Sequence, residues 1–162
     1  MIRPLAAHDR VPLRELLAAT ASFTIPEIEV AEELIDVVLS RPEQRDYYAF
    51  VYSIDGRPAG LLIIGPVPAT VGTWHLYWIA VHPARHGTGI ATALAAHAEN
   101  FVRARAGYLI MVETSSQPGY ARARRFYVKH AYAELVRVAD YYRPGDDLVL
   151  FAKRLGPGSG HP

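Results

Sequence analysis

The stretch GTWHLYWIAV (72–81) constrains the fold more than any other, because apolar residues occupy both of its alternating faces. Successive side chains of a strand point to opposite faces of a sheet, so a strand with this pattern is covered on both sides. The next residues, HPARHGTG, carry two glycines one residue apart, and the helical pattern IATALAAHAENFV follows directly. The sequence therefore predicts a central strand, a glycine-containing turn and a helix, joined in that order.

Two helices are predicted before residue 40. Asp9 has the chemistry of an N-cap for a helix over about residues 10–19. Thr24 and Glu27 have the spacing of a capping box, which predicts a second helix that continues to about Leu39. The predicted buried stripe of this second helix consists of Val30, Leu34, Ile35 and Val38.

The rest of the chain predicts strands and one more helix. Besides the central strand, the strand candidates are MIRPL, YYAFVYSI, AGLLIIG, YLIMVET, AELVRVADYY and DLVLFAKRL. DGRP and RPGD supply turns between neighbouring strands, and a helix is predicted from Pro118 to His130. The element order βααβββαβαββ, with about seven strands and four helices, indicates a mixed α/β domain. We expect residues 1–155 to form that domain and GPGSGHP (156–162) to form a flexible tail.

Composition excludes several classes of function. The chain has no cysteine, which rules out disulfides, thiolate metal sites and a cysteine nucleophile, and suits a reducing cytoplasm. Its formal net charge of +1 gives no general attraction for nucleic acid or an anionic membrane. His82 and His86 are four residues apart, but Pro83 and the glycines break any helix there, so no metal site is predicted. We therefore expect a cytoplasmic protein with no nucleic-acid, membrane or metal partner.

Gly87 and Gly89 lie between a strand end and a helix start, where backbone amides are unpaired and carry partial positive charge. A phosphate or diphosphate is the natural occupant, and an ordinary turn before a packed helix is the structural alternative. A P-loop is excluded because no Gly-Lys-Ser/Thr follows. A dinucleotide site fits less well, because the third small residue comes one place early and three antiparallel-type strands precede the glycines.

Two segments resemble the GNAT superfamily of N-acetyltransferases. His86-Gly87-Thr88-Gly89-Ile90-Ala91 is similar to the diphosphate motif Q/R-x-x-G-x-G/A of that family. RRFYVKHAY (124–132) resembles the later family segment A-x-x-x-Y-x-x-x-G-F, with Ala123, Tyr127 and Tyr132 at matching places. The resemblance covers residues 1 to about 155 and implies a GNAT-type fold with a single mixed sheet.

The resemblance implies that acetyl-coenzyme A (acetyl-CoA) is the co-substrate. The strand backbone is expected to hold the pantetheine arm, and the loop and helix start to hold the diphosphate. The residues concerned are Ile79, Ala80 and Val81 of the strand, and Arg85, His86, Gly87, Thr88, Gly89, Ile90 and Ala91 after it. Tyr120, further along the chain, is a candidate for another contact with the cofactor. Three positions depart from the family pattern: His86 replaces Gln or Arg, Tyr120 stands where many members have a cofactor-binding Asn, and Ala131 replaces Gly.

Acetyl transfer from a thioester to an amine needs a base for the amine and a proton for the leaving thiolate. By resemblance, Tyr127 points its hydroxyl at the coenzyme A sulfur and supplies that proton; the alternative is a core tyrosine. His75 lies on the central strand where several members carry a catalytic Glu or His, and Glu113 ends the next strand. Either could be the base, directly or through water, and either could be structural. Because no cysteine exists to carry the acetyl group, direct attack in a ternary complex is expected.

The acceptor is expected between the first two helices and the final hairpin. Acidic and aromatic side chains there would suit a cationic amine; the candidates are Phe23, Glu27, Glu29, Asp140, Tyr141 and Tyr142. The predicted function is transfer of acetyl onto an amine of a small molecule or peptide. Two alternatives stay open, a non-catalytic acyl-CoA-binding module and a nicotinamide-dependent enzyme. A homodimer is possible, because the last strands often pair subunits in the family.

Overall fold

Across residues 1–156, which a computed structural model describes, seven strands and four α-helices form in the predicted order. The strands make one mixed sheet with the order β1-β2-β3-β4-β5-β7-β6. This confirms the predicted mixed α/β class and places the doubly apolar strand, β4, fourth of seven. The predicted tail lies, apart from Gly156, outside the described residues.

The strands and helices have the following bounds. The strands are β1 (Ile2–Pro4), β2 (Tyr48–Ile54), β3 (Arg57–Pro66), β4 (Thr73–Val81), β5 (Leu109–Ser115), β6 (Ala133–Arg143) and β7 (Asp146–Arg154). The helices are α1 (Arg10–Ala19), α2 (Ile25–Ser40), α3 (Ile90–Arg103) and α4 (Ala121–Lys129). The described chain forms two compact units: Met1–Pro66 with Tyr77–Ala98, and Val67–Leu76 with residues 99–156.

In the first unit, α1 and α2 cover the sheet. Leu13, Leu16 and Leu17 of α1 pack with Ile35 of α2 and with buried residues of β2, β3 and β4. Val30 was predicted to be buried and is 47% exposed, whereas Ala31 is fully buried. The buried stripe of α2 therefore centres on Ala31 and Ile35, with Leu34 and Val38 partly buried beside them.

Asp9 precedes α1 but does not cap it. Its side chain makes no capping hydrogen bond to the helix, so the predicted role is wrong. Instead, the fully buried carboxylate accepts two bonds from Arg3, at 2.6 and 2.7 Å, and one from the Ala6 amide at 2.9 Å. Burial opposes ionisation, but the Arg3 and Ala6 bonds prevail and hold the pKa of Asp9 below its usual value. Asp9 therefore ties β1 to the turn that leads into α1.

In the second unit, β5, β7 and β6 form an antiparallel set. The helix predicted to begin at Pro118 begins later: Pro118–Tyr120 is a 3-10 turn, and α4 starts at Ala121. Ala131, after α4, has φ +63°, the left-handed conformation for which the family pattern supplies glycine. All eleven residues of β6 are exposed.

Candidate functional site

The loop after β4 is organised by short local hydrogen bonds. The Ala84 amide donates to Nδ1 of His82 at 3.2 Å, and the Arg85 amide donates to the His82 carbonyl at 2.8 Å. The Thr88 hydroxyl donates to the Arg85 carbonyl at 2.6 Å. These bonds form a 3-10 turn over Pro83–Arg85 and bring the chain to the two glycines.

Gly87 and Gly89 both adopt a left-handed backbone conformation. Their φ values are +77° and +85°, a region that L side chains adopt at a cost and glycine adopts freely. A methyl group added at either residue would meet nothing within 4 Å, so the backbone borders open space. The first hydrogen bond of α3 runs from the Ala93 amide to the Gly89 carbonyl at 2.9 Å. The amides of Ile90 and Ala91 therefore have no acceptor inside the helix.

Gly60 of β3 lies against the first turns of α3. A methyl group at Gly60 would lie 2.9 Å from side-chain carbons of both Ile90 and Leu94. The bare backbone of β3 thus allows the first turns of α3 to lie directly against the strand. Ile90 and Leu94 are buried there, whereas residues 84–89 are exposed. Among the predicted pantetheine-holding residues, Ala80 and Val81 are buried and Ile79 is half-buried.

His75 and Glu113 are brought together. His75 of β4 pairs in parallel with Met111 of β5, and Glu113 lies two residues further along β5, on the same face as Met111. Burial lowers the pKa of His75, and the carboxylate of Glu113 partly offsets this. Glu113 itself is exposed. The arrangement gives a largely neutral imidazole beside a solvated carboxylate, and it suits proton removal by either group.

Tyr127 lies on α4 within an aromatic cluster. Its ring centroid is 5.5 Å from that of Phe151, 5.6 Å from that of Tyr132 and 5.7 Å from that of Phe126. The side chain is 5% exposed, and burial raises its pKa well above the usual tyrosine value. The phenol therefore stays protonated at neutral pH and can act as a proton donor.

Sequence reasoning missed the anchor of α4. Arg124 donates to the carbonyl oxygens of Ser115 and Gln117, at 2.6 and 2.9 Å. The Ser115 hydroxyl donates to the buried carboxylate of Asp146 and accepts from the Gln117 amide. Arg124 precedes Tyr127 by three residues on the same helix face, so this network fixes the helix that carries Tyr127. No motif marks these residues, because their partners lie on separate elements.

Two of the candidate acceptor residues at the start of α2, Phe23 and Glu27, have structural partners. Glu27 accepts from the amide and hydroxyl of Thr24, at 2.7 and 2.8 Å, which confirms the capping box. Phe23 packs against Trp78 with ring centroids 6.1 Å apart. The indole N–H of Trp78 is buried and has no acceptor within residues 1–156, a feature that no motif indicated.

The candidates on the final hairpin and near α4 are also placed. Asp140 accepts from the Gly145 amide at 2.7 Å, and the rings of Tyr141 and Tyr142 meet edge to face. Tyr120 is half-buried at the end of its 3-10 turn.

In the described part of the chain no group of three or more His, Asp or Glu side chains could hold a metal ion. Nor does any described helix have the length and apolar character to span a membrane.

Comparison with known proteins identifies the class. Residues 11–132 match the Acetyltransferase (GNAT) family. The match includes the glycine loop, α3 and the segment around Tyr127. The chain belongs to the GNAT family, as the two sequence motifs predicted.

Individual relatives agree with this assignment. An uncharacterised N-acetyltransferase of Methanocaldococcus jannaschii is 34% identical over 107 residues, a match that spans 65% of this chain and 65% of the relative. A crystal structure from Desulfovibrio desulfuricans, assigned to the GNAT family, is 35% identical with a TM-score of 0.91 and covers 95% of this chain and 98% of that one. An aminoglycoside 6′-N-acetyltransferase complexed with coenzyme A shares the fold at 18% identity, with a TM-score of 0.76 and 99% of each chain covered.

Proposed function

We propose that the protein is an N-acetyltransferase that moves the acetyl group of acetyl-CoA directly onto a primary amine. The observation that carries the proposal is the loop before α3, where two left-handed glycines border open space at the start of a helix. Family membership over residues 11–132 supports acetyl-CoA as the co-substrate, and a structural neighbour binds coenzyme A.

Within this proposal, backbone groups hold the cofactor. The amides around Gly87 and Gly89 and at the start of α3 donate to the diphosphate, and Arg85 adds an exposed cation. The backbone groups of Ile79–Val81 hold the pantetheine arm. Bound in this way, the cofactor supplies a thioester carbonyl that an amine can attack.

The chain's own groups move the two protons. His75 or Glu113 takes the proton that the amine loses, directly or through water. Tyr127 gives its phenolic proton to the sulfur as the carbon–sulfur bond breaks. Burial lowers the pKa of His75 and raises that of Tyr127, so at neutral pH the base is free and the acid is loaded. The protein thus needs no covalent intermediate, in agreement with the absence of cysteine.

The acceptor is a small-molecule or peptide amine. The exposed aromatic side chains Tyr141 and Tyr142 of the final hairpin support a cationic acceptor. We also propose a homodimer that pairs through β6, since this edge strand is exposed along its whole length and carries Leu135, Val136 and Val138 in the open. Light scattering across a concentration series tests the dimer.

The cysteine-free composition supports a cytoplasmic location.

Thermal shift followed by turnover tests the proposal. Acetyl-CoA should raise the melting temperature, and a panel of amines should then release free thiol from it, detected colorimetrically. Stabilisation without thiol release from any amine would favour the non-catalytic acyl-CoA-binding alternative. Stabilisation by NAD(H) and not by any acyl-CoA would overturn the proposal in favour of a dinucleotide enzyme.

A further inference from the structure

The His86 side chain lies against the backbone of its own loop. Its Nε2 is 3.0 Å from the carbonyl oxygen of Val81, the last residue of β4. A carbonyl oxygen only accepts hydrogen bonds, so Nε2 carries the hydrogen and His86 is the donor. The bond joins the end of the strand to the residue immediately before Gly87.

We infer that His86 is a positioning residue that clamps the loop onto β4 and leaves the diphosphate to backbone amides. This inference rests on the proposed function, because it assigns the loop to the diphosphate. At this motif position a donor or cation would be expected to reach the phosphate itself. Here the Nε2 donor is already used within the protein.

The loop needs such a clamp because its other long-range bond, from the His82 amide to the Ala59 carbonyl of β3 at 3.0 Å, holds only its first residue, four residues before His86. The bonds made by the amides of Arg85 and Thr88 and by the Thr88 hydroxyl each span three residues, and all of them lie beyond Val81. They shape the turn without attaching it to the strand. The two glycines that follow have more backbone freedom than any other residue type, and binding must remove that freedom. A bond that spans five residues restricts this freedom before the ligand arrives, which reduces the entropic cost of binding.

The clamp depends on a hydrogen-bond donor and not on charge. A neutral imidazole with hydrogen on Nε2 forms it as well as a protonated one does. The side-chain amide of glutamine also offers a donor at about the same distance from the backbone. The two variants His86→Ala and His86→Gln therefore separate loss of the donor from loss of the ring and its charge. His8→Ala is a matched control, since His8 has an exposed side chain outside this loop.

The experiment measures the loop without ligand and then with ligand. Hydrogen exchange of the ligand-free protein should show amides 84–90 exchanging about tenfold faster in His86→Ala, and unchanged in His86→Gln and His8→Ala. Calorimetry with coenzyme A should show Kd raised about tenfold in His86→Ala, the value of one hydrogen bond. The ratio of variant to wild-type Kd should be equal at 50 and 500 mM NaCl. The KM for an acetyl-pantetheine thioester, which lacks the diphosphate, should not change.

Two results would overturn the clamp. One is loop exchange that stays at the wild-type rate in His86→Ala. The other is an affinity loss that shrinks at high salt and is not rescued by glutamine, which would make His86 an ionic phosphate ligand. If the wild type binds no coenzyme A, the proposed function fails, and the exchange rates of the ligand-free protein still decide whether His86 holds the loop.

Discussion

The glycine loop after β4 is built from exposed backbone, whereas the surroundings of Tyr127 are built from buried side chains. At Gly87 and Gly89 an added methyl group would meet nothing within 4 Å. Tyr127 is enclosed by three aromatic rings, and its helix is anchored by Arg124 on the carbonyls of Ser115, the last residue of β5, and Gln117. The first region can accept a ligand without rearranging side chains. The second keeps one phenol protonated and in a fixed position.

Because of this difference, we expect the two regions to respond differently to amino-acid substitution. A backbone site is insensitive to most side-chain changes and sensitive to anything that removes left-handed geometry. A side-chain site depends on one hydroxyl and on the packing that orients it. Substitutions matched between the regions should therefore separate cofactor affinity from the rate of transfer.

The largest expected effect belongs to Tyr127→Phe. If Tyr127 is the acid that we propose, its removal should lower kcat about 100-fold, within the usual contribution of a general acid, with little change in KM for acetyl-CoA. The rings around the site remain packed, so the melting temperature should stay near that of the wild type. Steady-state kinetics with thiol detection measure both constants.

Tyr132→Phe is the matched control for that substitution. Tyr132 is 3% exposed, and its hydroxyl has no hydrogen-bond partner within residues 1–156. Loss of an unpaired buried hydroxyl should not destabilise the fold, and kcat should be unchanged. If Tyr132→Phe lost activity and Tyr127→Phe kept it, the assignment of the acid would be wrong.

The next effect belongs to Gly87→Ala and Gly89→Ala. A left-handed alanine costs about 1–2 kcal/mol, and its methyl group occupies the space in which the diphosphate would lie. The Kd for coenzyme A should rise at least about tenfold, which corresponds to ~1.4 kcal/mol. Gly56→Ala is the control: φ is +78° and its surroundings are equally open, but it lies in the β2–β3 turn. It should lose stability like the others and keep its affinity for coenzyme A.

A smaller effect is expected on the pH dependence of kcat/KM, which reports on the proposed bases His75 and Glu113. Because burial lowers the pKa of His75, the acid limb of kcat/KM should lie below the ordinary histidine value. The carboxylate of Glu113 raises the pKa of His75, so Glu113→Gln should lower it further and move the limb to lower pH. A pH–rate profile of both proteins measures this shift. Loss of about 100-fold in kcat/KM at every pH would instead make Glu113 the base.

The smallest effect is on stability in the Tyr127 region. Ala131 adopts φ +63°, so Ala131→Gly should relieve strain and stabilise the fold by about 0.5–1 kcal/mol after the larger unfolded-state entropy of glycine is subtracted. Thermal unfolding measures it. Ala106→Gly, at φ +56°, should give a similar gain, and neither change should alter kcat. Destabilisation by Ala131→Gly would mean that the alanine side chain matters more than its backbone strain.

Local chemistry made much of the fold predictable. The turn DGRP needs two positive φ values and has them at Asp55 and Gly56, +48° and +78°. The apolar run 72–81 became the central strand, and the capping box at Thr24 formed as its spacing required. In each case the physical cause lies within a few residues of the chain.

The sequence predictions were wrong or incomplete where a residue's role depends on a contact with another element of the fold. Asp9 could have capped α1, but the guanidinium of Arg3 binds its carboxylate more strongly than a helix amide would. Val30 fits the helical stripe, but Ala31 is the residue that packs into the core with α1 and the strands. The anchor of α4 joins Ser115, Arg124 and Asp146, which a linear pattern does not connect. A site built from backbone groups can be predicted from the positions of glycines in the sequence, whereas a network of side chains on separate elements cannot.

A crystal structure of the protein with coenzyme A would show directly where the diphosphate binds. We expect both phosphorus atoms to lie against the amides of residues 87–91 at the start of α3, with the His86 ring still bonded to the Val81 carbonyl. Density for the diphosphate at any other surface, or none at saturating ligand, would contradict this expectation.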